Sequence, residues 1–100
     1  MGEMEITNKI KIIEQLKSQL LSDVSAVFTN MTSDEGDNKN NIDLLADIMI
    51  ITYFLSEKLG TSYEGLDLKI KNKLKIALLT EEAHSKWRTQ LSLLSRHFDI

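Results

Sequence analysis

Cysteine and proline are both absent, and glycine occurs only four times in 100 residues. Without cysteine there is no disulfide framework, no thiolate nucleophile and no thiolate zinc site, a composition that suits a reducing cytosol. Without proline, no helix is forced to kink or stop by a missing N–H donor. Aromatic residues make up 6% of the chain, too few to interleave with basic residues as a base-stacking surface, and the formal charge of −3 gives no global attraction for nucleic acid or anionic membrane. Long apolar runs are missing as well. The longest, Ile48–Leu55, is broken by Thr52 and falls far short of the roughly 20 residues that span a bilayer. Met1-Gly2-Glu3-Met4-Glu5 is acidic where a secretory signal is basic, and Ile6 occupies the position where a myristoylation motif carries a hydroxyl residue. The expectation is a soluble cytoplasmic protein with no membrane and no nucleic-acid partner.

What is present is helical patterning. With 42% hydrophobic and 27% charged residues, the composition fits one all-α domain over residues 1–100. A domain of this size buries only about 60–70% of the surface that its unfolded chain exposes, so a homodimer or higher homo-oligomer is expected to complete the bundle. Ile6, Ile10, Ile13, Leu16, Leu20, Val24, Val27 and Met31 recur at steps of three or four and predict one long amphipathic helix, with Ser22-Asp23 as a place where it could bend. Residues 32–40 are rich in turn formers and predict a mobile loop. Asp34, Glu35 and Asp37 lack the ligand spacing of an EF-hand, so a solvated loop is favoured over a calcium site.

A second helix is predicted from about Asn41 to Leu59, apolar around most of its circumference and so buried from several sides. Gly60 provides a left-handed stop, and Thr61-Ser62-Tyr63-Glu64 has the spacing of a capping box for a third helix. Between Asp67 and Leu79 a period of two competes with the helical period. Helix is favoured because Tyr63, Leu66, Ile70, Leu74, Ala77 and Leu78 share a face and no partner strand exists. Thr80-Glu81-Glu82 reads as the start of a fourth helix with Ala83, Trp87, Leu91, Leu94 and Phe98 on its buried side.

Asp43 and Asp47 lie four residues apart, so both carboxylates share one helical face with Ile50 and Phe54. Such a pair can help hold Mg²⁺ together with substrate phosphates, or simply stabilise the dipole of a first helical turn. Lys69, Asn72 and Lys73 are either phosphate contacts or part of a solubilising surface with Lys71 and Lys75. His84 and His97 are thirteen residues apart and do not form a metal pair on one helix. Trp87 reads as a core or subunit-interface anchor rather than a stacking platform.

The run from Ile42 to Ile51, followed by Leu55, Lys58-Leu59-Gly60, Leu66, Lys69 and Asn72-Lys73, resembles the second half of the MazG-type nucleotide pyrophosphohydrolases. The ending, with Trp87, Leu93-Leu94 and Arg96-His97, is similar to short MazG-like proteins, and the resemblance extends from about Asn8 to Phe98. It implies a four-helix, dimeric, all-α unit that cleaves nucleoside triphosphates between the α and β phosphates with Mg²⁺. Family members carry a Glu-x-x-Glu pair on one helix and a Glu-x-x-Asp pair on the next. Here the second pair corresponds to Leu44-Leu45-Ala46-Asp47, which keeps only the aspartate, and the region of the first offers only Asp23. By this resemblance Asp47, Asp43 and Asp23 are the candidates for metal and water, with Lys69, Asn72 and Lys73 facing nucleotide phosphate. The missing glutamates imply an activity that is weak or lost. The alternative is a non-catalytic dimeric helical module that binds a nucleotide or a protein partner in a regulatory role.

Overall fold

A computed structural model describes residues 2–32, 38–82 and 84–100, and for Asn38 and Lys39 the backbone alone. Its elements are α1 (Gly2–Met31), α2 (Asn38–Lys58), α3 (Tyr63–Thr80) and α4 (Arg88–His97), with no strand among the described residues. The competition of periods between Asp67 and Leu79 is thus resolved as helix. Contacts group these elements into two units, residues 1–61 with α1 against α2, and residues 62–100 with α3 against α4.

In the first unit α1 runs without interruption for 30 residues, about 45 Å at the standard rise. Ser22-Asp23 does not break it: the Asp23 carboxylate is held by the Gln19 side chain four residues earlier, at 2.8 Å, instead of capping a new helix. The side chain of Asn30 donates to that of Asn41 at 3.1 Å across the start of the α1–α2 hairpin. Val27 and Ile51 are buried between the two helices, and Ile13, Leu16, Leu20, Leu44, Ile48 and Leu55 are half-buried.

Two expectations change here. The second helix begins at Asn38, three residues before the predicted Asn41, so residues 38–40 belong to α2; of the rest of the predicted loop, Thr32 is a turn residue at the end of α1, and 33–37, including the three acids, lies outside the described residues. The apolar circumference of α2 is covered from one side only, because one antiparallel neighbour in this unit shields a single face. Ile42, Leu45, Met49, Ile50 and Phe54 each remain about half exposed or more.

The chain leaves α2 through a Schellman motif. Gly60 has φ 97°, its N–H donates to the Glu57 carbonyl at 3.1 Å, and the Thr61 N–H donates to the Ser56 carbonyl at 2.9 Å. Ser62, rather than Thr61, caps α3: its hydroxyl accepts from the Gly65 N–H at 3.0 Å. Glu64 therefore occupies the second helical position, one short of the place where a capping-box glutamate reaches back.

In the second unit Leu74 is the buried apolar residue of α3. Thr80 ends α3 instead of starting α4, with Glu81 as its C-cap. The last helix starts at Arg88, because the Arg88 guanidinium reaches back to the carbonyls of Leu78, at 2.8 Å, and Glu81, at 3.1 Å, and fixes the intervening turn. The predicted buried face shifts accordingly. Ser95 is 2% exposed, whereas Trp87 is 59% exposed, with the Lys86 ammonium 5.8 Å from its ring centre. Trp87 is not a core residue of this chain, and Ala83 lies outside the described residues.

Candidate functional site

Asp43 and Asp47 sit in the first half of α2, and both are exposed. Their separation of one helical turn keeps the carboxylates on one face, and Ile50 and Phe54, 50% and 46% exposed, continue that face toward the C-terminal end of the helix. Since α2 starts at Asn38, no acid occupies its first turn. Stabilisation of the helix dipole therefore does not explain the pair.

Asp23 is different. It is 4% exposed, its Oδ1 accepts from Gln19, and its Oδ2 has no hydrogen-bond partner among the described residues. Burial of a carboxylate with an unpaired oxygen costs free energy that folding must offset elsewhere. The Asn30–Asn41 contact sets the hairpin register: Asp23 lies seven residues before Asn30, and Ile48 seven after Asn41. At 1.5 Å per residue these are equal axial displacements of about 10 Å, so Asp23 stands level with Asp47 and Ile48. The two acids are level without sharing a surface, since Asp23 lies buried and Asp47 is exposed.

Among the described residues, no three of the aspartate, glutamate and histidine side chains come together as a metal-binding group. What is present fits one kind of metal chemistry better than another. Mg²⁺ commonly takes one or two protein carboxylates and completes its octahedron with substrate phosphates and water, which Asp43 and Asp47 can satisfy. A two-metal centre needs more anionic ligands than this face supplies.

Lys69, Asn72 and Lys73 lie on α3 at steps of three and one, so they share a helical face, and all three are exposed. Lys71, by contrast, is half-buried. The acid candidates thus belong to the first unit and the phosphate-facing candidates to the second. His84 and His97 are exposed, and the His97 ring makes an edge contact with Phe98 at 5.3 Å.

Four residues outside the sequence candidates shape this arrangement. Gln19 positions Asp23, and its i, i+4 spacing was the available signal. Asn30 and Asn41 fix the register, but nothing in their separation marks them as partners. Arg88 organises the α3–α4 turn through backbone carbonyls, which no side-chain pattern announces.

No curated protein and no solved structure matches the chain. The model of the MazG-like family matches residues 6–91, covering α1, α2 and α3 completely enough to include Asp23, Asp43, Asp47, Lys69, Asn72 and Lys73. The chain belongs to the MazG-like family.

Proposed function

We propose that this MazG-like chain is a cytoplasmic homodimer that receives a nucleoside triphosphate at the Asp43–Asp47 face of α2, with hydrolysis between the α and β phosphates slow or lost. The observation that carries the reading is the exposed acid pair above an open apolar floor, with no third carboxylate grouped with it among the described residues. A Mg²⁺ ion arriving with the nucleotide would offset phosphate charge and help present a water for attack. Asp43 and Asp47 would hold that ion, and Ile50 and Phe54 would offer apolar area to the rest of the nucleotide. Lys69, Asn72 and Lys73, exposed on α3, are by themselves the phosphate candidates of the second unit. Asp23, level with Asp47, is the third acid candidate.

The dimer reading is supported by apolar surface left on two flanks of α2. Ile42, Leu45 and Met49 mark one flank, while Ile50 and Phe54 mark the other; a second copy that covers the first, leaving the second to the nucleotide, supplies the core that a single 100-residue chain lacks. The same lack of a third acid favours a second reading, in which the protein binds a nucleotide or a protein partner without turnover.

Calorimetric titration with a triphosphate that carries a non-hydrolysable α,β-methylene bridge, in Mg²⁺, tests the binding claim. Saturable binding weakened by about tenfold or more in Asp47→Ala is expected, in line with loss of a charged ligand. Absence of binding for every base and sugar would leave the protein-partner module as the reading.

A further inference from the structure

The second unit carries a feature that the acid pair does not use. Residues 62–100 contain seven basic and five acidic side chains, whereas residues 1–61 contain five basic and ten acidic. An acidic chain thus ends in a unit of net positive charge. Within that unit Ser85, Arg88, Thr89, Ser92, Leu93 and Arg96 line an open groove along α4. Their spacing of three or four residues puts the hydroxyls and guanidiniums on one face.

The groove is partly pre-organised. The Nη1 group of Arg88 donates to the carbonyls of Leu78 and Glu81, which fixes the guanidinium at the groove wall. Those contacts leave the donors on Nε and Nη2 uncommitted among the described residues. Thr89, Ser92 and Arg96 likewise make no side-chain hydrogen bond or ion pair among the described residues, although all carry donors. Of the acids at its ends, Glu81 accepts the hydroxyl hydrogen of Ser85, so this carboxylate is engaged at the rim, while Glu82 and Asp99 meet Ser85 and Arg96 through backbone hydrogen bonds.

We propose that this groove binds a phosphate chain, with Arg88 and Arg96 as its two guanidinium contacts and Thr89 and Ser92 as hydroxyl donors between them. Guanidinium forks match phosphate oxygens in pairs, and a fork already held in place loses less conformational freedom on binding. The Cα atoms of Arg88 and Arg96 are two turns apart, about 12 Å. That separation favours a polyphosphate reaching along the groove over a single phosphate. The site is distinct from the Asp43–Asp47 face, does not rest on that reading and needs no metal. Its ligand chemistry is the phosphate chain itself, whether inorganic or the tail of a nucleotide.

The test is titration of the full chain with sodium tripolyphosphate in the absence of divalent cations, followed by backbone amide shifts and calorimetry. The expected result is a set of shifts centred on Thr89, Ser92 and Arg96, and affinity reduced by about tenfold or more in Arg96→Gln, as loss of a charge-assisted contact implies. Ser92→Ala, which removes only a hydroxyl from an element held elsewhere, should weaken binding while leaving the helical circular dichroism unchanged. Asp47→Ala should bind tripolyphosphate as the parent does. Equal affinity for tripolyphosphate and a nucleoside triphosphate would identify the inorganic chain as sufficient; tighter nucleotide binding with the same shifts would identify the nucleotide tail as the source. Shifts confined to Lys69, Asn72 and Lys73, or Arg96→Gln binding within about twofold of the parent, would overturn the assignment, as would preference for orthophosphate over tripolyphosphate.

Discussion

Asp23 stands in the α1–α2 interface with one carboxylate oxygen satisfied by Gln19 and the other without a partner among the described residues. Replacing a buried, poorly compensated charge by an apolar group of similar size is often neutral or stabilising by about 1 kcal/mol or more. Asp23→Leu should therefore raise the denaturation midpoint, because it removes the buried charge, extends the apolar contact toward the level of Ile48, and returns the exposed Gln19 amide to water. If Asp23 also serves the nucleotide, the same variant binds the Mg²⁺-triphosphate about tenfold or more weakly while unfolding at higher denaturant. A midpoint that falls would show that the carboxylate is compensated after all. That Asp23 is an acid candidate was legible in the sequence; that it is buried was not, because α1 periodicity alone does not say which face α2 will cover.

Helices α1, α2 and α3 follow their apolar periodicity, and the α2–α3 connection follows from a single glycine. At Gly60 the positive φ, with no heavy atom within 4 Å of an added Cβ, makes the cost of a side chain one of backbone conformation alone. Gly60→Ala should destabilise the chain by about 1 kcal/mol, measured by chemical denaturation. Ser62→Ala should cost about 1 kcal/mol through loss of the cap to Gly65, whereas Thr61→Ala should not remove an N-cap. The start of α4 was the element least legible in sequence. Thr80-Glu81-Glu82 carries the composition of a helix start, yet it ends α3, since Arg88 and Ser85 satisfy backbone groups of the turn from beyond it. Interactions of that kind reach across several residues and leave no periodic trace. The shift of the α4 register is also why Trp87, placed on a buried face by spacing, is exposed.

For the molecule as a whole, few apolar side chains are buried: Val27, Ile51 and Leu74 are the ones among the described residues. Such a core is small for 100 residues, and it accounts for the proposal of a second copy over the Ile42, Leu45 and Met49 flank of α2. Met49→Asp places a charge on the flank that the nucleotide face does not use, at a position already 49% exposed. It should convert the dimer to monomer in sedimentation equilibrium while retaining helical circular dichroism; an unchanged mass would remove that flank from the interface. The family was legible from the Ile42–Lys73 pattern, and the matched residues 6–91 bear it out. The chemistry was legible only as a set of candidates, because it depends on how many carboxylates meet, and helical spacing specifies a pair on one element without specifying convergence between elements. Pyrophosphate release from a panel of ribo- and deoxyribonucleoside triphosphates in Mg²⁺, with Asp47→Ala as the comparison, tests this reading most directly. A turnover at least 100-fold below the roughly 10 s⁻¹ typical of enzymes, and absent in Asp47→Ala, is the predicted result; turnover in the ordinary range, or release that Asp47→Ala leaves unchanged, would contradict it.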